Sequence, residues 1–413
     1  MRSDARPLTP FLFSALTLAL APMFLGGCDK MRGGGDSNAG KAPASTAGAS
    51  APGAASAAPS TETILIGEYG SLTGSEATFG QSTHNGIQLA LDEANATGGL
   101  KGRKYALKTY DDQGKSQEAG TVVTRLITED HVTAILGEVA SSLSLAGGRV
   151  AQQYGVPMVS PSSTNPQVTQ IGDMIFRVCF IDPYQGFVMA KFARENLKLT
   201  NVAVLYDQAQ AYSKGLKDDF LKAFKEQGGN IVAEQAYTAG DQDFSAQLTT
   251  LKGAKPEAIF MPGYYTDVGN IALQARKLGV TATLLGGDGW DSDKLTEIGG
   301  AAIEGAYYSN HYSHEEQRPE VQDFVKKYQA RFNTVPDGLA AMGYDAARLL
   351  FDAMGRAPSI AGKDLSAALA ATKGFHGVTG MITIDANRNA SKPAVILQIK
   401  GGKPSYFATI APQ

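Results

Sequence analysis

Apolar residues along this chain follow two alternating rhythms. The run Ile64-Leu-Ile-Gly-Glu-Tyr69 is short and apolar, as a buried strand is, and a Gly/Ser/Thr loop separates it from a stretch over about 78–96. In that stretch Ile87, Leu89, Ala90, Leu91 and Ala94 fall near one face of a helix. Strands are predicted next at 105–110, 132–136 and 157–159, with helices at 116–129 and 141–154 between them. The alternation restarts after Cys179, with helices at 183–197, 212–227, 244–252 and 265–278 and strands at 202–206, 231–237, 258–261, 283–285 and 306–309. Helices near 317–332, 338–355 and 363–371 and β-type runs at 379–384, 394–399 and 405–409 complete the pattern. Strands alternating with helices of this length imply βαβ units on parallel sheets. The fold class is therefore α/β, with two doubly wound parallel-sheet lobes. Ligands of open α/β sheets sit beyond the carboxyl ends of the strands, so the expected site is the cleft between the lobes.

The first sixty residues follow a different logic. Arg2 and Arg6 against Asp4 give a weakly positive start, and an apolar run over 11–25 follows. It is too short, and too soon interrupted by Gly and Pro, to span a bilayer, but it has the build of a signal-peptide core. The run ends in Leu25-Gly26-Gly27-Cys28, which resembles the bacterial lipobox. That resemblance implies a signal peptide over 1–27, cleavage before Cys28 and a lipid on its thiol. Asp29 follows, which in enterobacteria is a signal to stay in the inner membrane. Gly, Ala, Ser and Pro dominate up to about Ser60 and offer almost nothing to bury, so 28–61 is expected to be a disordered tether. A coil of about 30 residues spans roughly 30 Å. The globular head would then work at the periplasmic face of the inner membrane, engaging the membrane through the N-terminal lipid only.

Composition narrows what the head can do. Across 413 residues, Lys+Arg 37 against Asp+Glu 40 leaves a net charge of −3, with no basic footprint for nucleic acid. Two cysteines, Cys28 and Cys179, exclude a disulfide scaffold and a Cys-rich metal site. Cys179, in an apolar run from Phe176 to Phe180, is expected to be a small buried hydrophobe. Gly114-Lys115-Ser116 stands between a strand and a helix like the end of a P-loop, but the motif needs Gly where Thr109 stands. Asp111 and Asp112 would also repel a triphosphate. His311 and His314 with Glu315 and Glu316 can be drawn as a metal cluster, yet the acids more simply favour a helix N-terminus. No Gly-x-Ser-x-Gly, Cys-x-x-Cys or His-Glu-x-x-His occurs, so nothing joins a nucleophile to a base. Neither an enzyme nor a bound metal or cofactor is expected.

Motifs spread along the head resemble, in order, the leucine/isoleucine/valine-binding protein family, the type I periplasmic solute receptors of ABC importers. They are the segment 64–80, Gly-Ile-Gln-Leu-Ala-Leu-Asp-Glu-Ala-Asn (86–95), Gly-Gly-Leu-Lys-Gly (98–102), Tyr-Asp-Asp (110–112), Val-Pro-Met-Val-Ser-Pro-Ser-Ser-Thr (156–164) and Gly-Gly-Asp-Gly-Trp (286–290). The resemblance covers 62–413 and implies a chain that crosses between lobes three times, near 180, 311 and 384. Lobe I would take 62–181 with 312–381, and lobe II 182–311 with 386–413.

An amino acid is a zwitterion, so its site needs donors for a carboxylate and an anion with acceptors for an ammonium. Ser141 and Ser142 open a predicted helix directly after a strand, where backbone N–H groups and a hydroxyl make a carboxylate site. The resemblance assigns that role to Ser141, a backbone carbonyl for the ammonium to Ser162, and a hydroxyl and N–H to Thr164. It places the ammonium-binding acid at Asp288, where the best-known members carry Glu. Asp is a methylene shorter, so the ammonium must sit deeper or a water must bridge. Tyr264 and Tyr212 match lobe II aromatics that close over the ligand, and Phe79 matches one from lobe I. Trp290 lies beside the acid, and Leu339, Ala340 and Ala341 are candidate pocket liners. The chain is thus expected to be a monomeric lipoprotein that delivers an amino acid, branched-chain or similar, to an ABC permease and its ATPase. The same fold with an amide, urea-like, acidic or aromatic solute, and a sensory module for a signalling partner, stay open.

Overall fold

The computed structural model describes residues 63–411, so the expected signal peptide, Cys28 and the tether lie outside the described residues. Lobe I is built on five parallel strands, β1 (Ile64–Gly70), β2 (Tyr105–Asp111), β3 (Ala134–Leu136), β4 (Met158–Ser160) and β5 (Ile175–Arg177). They lie in the order β2-β1-β3-β4-β5. Helices α1 (Ala77–Ala96), α2 (Ser116–Thr128), α3 (Ser141–Tyr154) and the short α4 (Gln167–Gln170) connect them. The chain then enters lobe II through α5 (Asp182–Lys191), whose last turn widens into a π-helix over Phe192–Asn196.

Lobe II repeats the winding. β6 (Asn201–Asp207), β7 (Asn230–Tyr237), β8 (Ala258–Met261), β9 (Thr283–Gly286) and β10 (Tyr307–Asn310) run parallel in the order β7-β6-β8-β9-β10. Between them come α6 (Ala211–Glu226), α7 (Ser245–Gly253), α8 (Tyr265–Lys277) and α9 (Asp293–Gly299). The chain returns to lobe I for α10 (Pro319–Phe332), α11 (Gly338–Arg356) and α12 (Gly362–Ala370). A small antiparallel sheet of β11 (Phe375–Gly377), β12 (Gly380–Ile384) and β13 (Ala390–Ser391) follows. Finally β14 (Ala394–Lys400) pairs antiparallel with β10, and β15 (Lys403–Ile410) pairs antiparallel with β14, extending the lobe II sheet. Because Ala390 and Ser391 still pair with β12, the strand that joins the lobe II sheet starts ten residues beyond the crossing expected near 384.

In each sheet the first strand lies between its two successors, so the winding reverses between β1 and β3 and again between β6 and β8. These switch points open crevices at the carboxyl ends of the strands. Lobe I holds together along α11, most of whose residues are buried, lying on α1. Glycines permit that approach: a Cβ on Gly86 would stand 1.9 Å from the Ala340 carbonyl oxygen, and one on Gly343 2.4 Å from that of Thr83. Sequence reasoning missed β5, because Arg177 interrupts its apolar run. The guanidinium is fully buried and donates to the Ser163 and Asn165 carbonyls, fastening the loop after β4 to this strand. Among the described residues no helix is long and apolar enough to cross a membrane.

Candidate functional site

The loops beyond both switch points meet. After β1 the chain is tied down by the Tyr-Asp-Asp motif. Asp111 accepts the Leu72 N–H at 3.0 Å and the Thr73 hydroxyl at 2.6 Å, and Asp112 accepts the Ser71 hydroxyl at 3.0 Å. That anchoring sets where α1 begins and so where Phe79, in its first turn, points. Phe79 meets Tyr264 of lobe II edge-on at 5.3 Å and Tyr265 at 5.1 Å. Tyr264 stacks on Tyr212, centroids 5.3 Å apart and planes within 5°. A small space, with about 10 Å³ open to a water-sized sphere, remains between the lobes. Lobe I lines it with Phe79, Val139, Ser162 and Leu339, and lobe II with Tyr212, Tyr264, Asp288 and Gly289. Five of the eight ligand-binding positions read from the sequence thus surround one cavity.

Its polar wall is Asp288, just past β9. Oδ1 accepts from Gln185 Nε2 at 2.8 Å and Oδ2 from His311 Nε2 at 3.0 Å. A carboxylate only accepts, so His311 carries its proton on Nε2 and its Nδ1 is bare. Burial pushes the imidazole down to about 4, outweighing the pull of Asp288, so it is neutral at pH 7. Asp288 therefore faces a largely apolar cavity with two neutral donors at its back and, among the described residues, no Lys or Arg paired with it.

The other positions stand behind the wall. Ser141 is the first residue of α3, and Ala140 before it supplies no side-chain cap. The first N–H groups of a helix lack intrahelical partners, so this terminus can receive an anion. Ser141 Oγ accepts the Asn165 N–H at 3.3 Å. Thr164 is buried, with its hydroxyl beside the Asp182 carboxyl. Ser142 is not part of the cavity wall; its hydroxyl accepts the Ala211 N–H at 3.0 Å and caps α6 of the opposite lobe. Asp291 of lobe II reciprocates on α11, accepting the Gly338 N–H at 2.7 Å. Thr78 N–H donates to Tyr265 Oη at 3.3 Å, and Thr266 Oγ1 donates to the Ser75 carbonyl at 2.6 Å.

Three expectations shift. Trp290 points away from the cavity into lobe II, fully buried, with Nε1 donating to the Met261 carbonyl at 3.0 Å. Of the three candidate liners only Leu339 reaches the cavity, because Ala340 is packed on α1. His311, drawn from the sequence as part of a metal cluster, is the partner of Asp288. That pairing was within reach of the sequence: Asp288 follows β9 and His311 follows β10, and the two strands are neighbours. Gln185 carried no comparable signal, since it is one polar residue on a helix. Cys179 is fully buried as expected, and burial pushes its thiol up to about 12.

Comparison with known proteins bears on this geometry. The family model described as "Periplasmic binding protein" matches residues 63–403. A Leu/Ile/Val-binding protein homolog of Brucella melitensis is 32% identical over 336 residues, 80% of this chain and 89% of that protein. The crystal structure of the leucine-binding protein LivK of Thermotoga maritima is similar, with a TM-score of 0.82 and 39% identity over 85% of this chain and 99% of that one. The isoleucine complex of LivJ from Streptococcus pneumoniae gives a TM-score of 0.80 at 33% identity, covering 85% of this chain and all of that one.

Proposed function

Because the chain belongs to the periplasmic binding protein family, whose members are solute receptors and not enzymes, we propose that it captures an amino acid between its lobes and delivers it to an ABC importer. The observation that carries this reading is Asp288, a buried carboxylate at the cavity edge whose hydrogen-bond partners among the described residues are neutral. Such a group calls for a cation, and an ammonium next to an otherwise apolar space is that of an amino acid with an apolar side chain. Its carboxylate would lie toward the N-terminus of α3 at Ser141, close to Thr164 and the Ser162 loop. The side chain would rest among Phe79, Val139 and Leu339. Branched aliphatic side chains suit these walls, in keeping with relatives named for leucine and isoleucine.

Lobe I would take the ligand first, and lobe II would then close with Asp288, Tyr264 and Tyr212. The hinge would be the crossings after β5, after β10 and after β13. Cys28 would carry the lipid that holds the head outside the cytoplasm, so Cys28→Ser should release the protein from the membrane fraction. The direct test is calorimetry on the purified protein, freed of co-purified ligand by unfolding and refolding. Leucine, isoleucine or valine should bind, and an amine-free carboxylate should bind far more weakly. Failure of all three, with a response to amides or other solutes, would overturn the choice of ligand.

A further inference from the structure

Both donors to Asp288 stand beside places where the chain changes lobes. His311 directly follows β10, where the chain turns back to lobe I, and Gln185 lies in the first turn of α5, just past the first crossing. Gln185 N–H donates to the Ile181 carbonyl at 3.0 Å, which fixes the residue to that crossing. Its Nε2 serves two acceptors, Asp288 Oδ1 at 2.8 Å and Ser309 Oγ of β10 at 3.0 Å. The imidazole of His311 lies against the ring of Phe180, centroids 3.8 Å apart and planes 32° apart. Both rings are buried, and Phe180 belongs to the first crossing. The stack thus joins the first crossing to the second, and Asp288 hangs from that joint by one donor on each side.

The chemistry of the second donor suits an acid that must stay open to a ligand. A Lys or Arg in its place would answer the charge of Asp288 and leave nothing for an ammonium. A neutral imidazole gives one hydrogen bond from Nε2, fixes the direction of Oδ2 and leaves the charge unpaired. Burial keeps the ring neutral, and the charge of Lys392 acts the same way from the third crossing, between β13 and β14. Lys392 is itself held in lobe I, donating to Thr379 Oγ1 and to Met342 Sδ. Phe180 covers one face of the imidazole, so the ring keeps its direction only while the crossings keep theirs.

We propose that His311 is a positioning residue for amine capture: it aims Asp288 at the ligand's ammonium and makes that aim depend on the angle between the lobes. The inference rests on the amino-acid reading above and deepens it. Rotation of one lobe against the other twists the chain at 180–182 and at 310–312, and the stacked rings move with it. With the lobes apart, Nε2 would leave its place 3.0 Å from Oδ2, so Asp288 is aimed only in the closed form. An ammonium that binds the aimed carboxylate better therefore favours closure.

The test compares wild type with His311→Leu, which fills the space without a donor, and His311→Gln, whose amide restores a donor at the place of Nε2. Calorimetry uses leucine and 4-methylpentanoate, which is leucine without its amine. His311→Leu should bind leucine about tenfold more weakly, with 4-methylpentanoate changed by less than about twofold. His311→Gln should bring leucine back to within about threefold of wild type. At saturating leucine, small-angle scattering should show less compaction for His311→Leu than for wild type. Leucine affinity of His311→Leu within about twofold of wild type, or compaction equal to wild type, would overturn the proposal. An equal loss for both ligands, or a loss that His311→Gln leaves unrepaired, would also overturn it by making the ring a packing residue. If neither variant folds, 15N NMR of wild type takes their place, with the His311 signals assigned by replacing the other four histidines. Leucine should then shift the Nε2 resonance and 4-methylpentanoate should not; no shift with leucine, or the same shift with both, refutes. Failure of wild type to bind any amino acid would fall on the functional reading instead, and is seen before any variant is made.

Discussion

Replacing Asp288 by Asn separates its charge from its place in the fold. The carboxyl accepts from Gln185 at 2.8 Å and from His311 at 3.0 Å, and Asn has the same size. One of those donors would meet the new NH2 group, but both neighbours can adapt. Gln185 Oε1 has no partner, so its amide can turn; His311 Nδ1 is bare, so its proton can move there and free Nε2 to accept. Folded stability should then change by less than about 1 kcal/mol. The charge facing the ammonium is lost, and a hydrogen bond to a charged group contributes about 1.5–3 kcal/mol. Leucine affinity should fall about 10- to 150-fold. Asp288→Ala is the control, because it strands two buried donors at about 1–3 kcal/mol each and should lower the melting temperature as well. Calorimetry paired with thermal unfolding reads both quantities. If Asp288→Asn bound leucine within about threefold of wild type, or destabilised the fold as much as Ala, the ammonium assignment would be wrong.

Other perturbations test the frame around the site. Gly86→Ala would drive a methyl group into the Ala340 carbonyl, so α1 and α11 must separate; a loss of about 1–3 kcal/mol or more, read by denaturant unfolding, is expected. Phe79→Ala removes a buried ring shared with Tyr264 and Tyr265 across the lobes, and should weaken ligand affinity by more than it shifts the melting point of the ligand-free protein. Asp291, pushed up to about 7 first by burial and then by Asp337, contacts α11 from the opposite lobe. With the lobes apart water would reach it and its proton would be held less tightly, so the closed form is favoured at low pH and loses that advantage as pH rises through about 7. Leucine affinity should therefore decline several-fold between about pH 6 and about pH 8, and Asp291→Asn should flatten that profile in calorimetry.

Hydrophobic rhythm made most of this architecture legible, because a strand buried on both faces and a helix buried on one leave different patterns. The runs at 64–70, 201–207 and 258–261 and the helix at 141–154 could be read almost to the residue. Elements were missed where the pattern is broken for a reason. β5 hides behind Arg177, a buried cation kept to hold the binding loop. β13 is two residues long, too short to show a period. Within the site, Phe79, Ser162, Tyr212, Tyr264 and Asp288 could be placed because each follows a strand at its carboxyl end or matches a motif. Gln185 could not, because its role lies in what it faces across the fold: one polar residue on a helix says nothing about the acid it orients. Ser142 shows the converse error. Next to Ser141 at a helix start it looks like part of an anion site, yet its hydroxyl reaches lobe II.

The contacts between lobes also say why a ligand should decide their arrangement. Where the lobes meet, each caps the other's helices: Ser142 on α6 and Asp291 on α11, joined by the hydrogen bonds of Thr78 with Tyr265 and of Thr266 with Ser75. Such bonds contribute only about 0.5–1.5 kcal/mol each, since water serves the same groups when the lobes part. Beside that meeting Tyr264 Oη, on the cavity wall, and Gln185 Oε1, next to Asp288, are buried without partners. Each unpartnered group costs about 1–3 kcal/mol, so on the proposed closure the empty closed form loses about as much as its bridging bonds return. A ligand that satisfies those atoms removes the penalty in the closed form alone, which is the differential interaction any ligand-driven closure requires. An amine-free carboxylate of equal bulk would fill the apolar space and leave Asp288 unanswered. It should therefore bind without closing the lobes, and small-angle scattering in the presence of leucine against 4-methylpentanoate should show compaction with the first only.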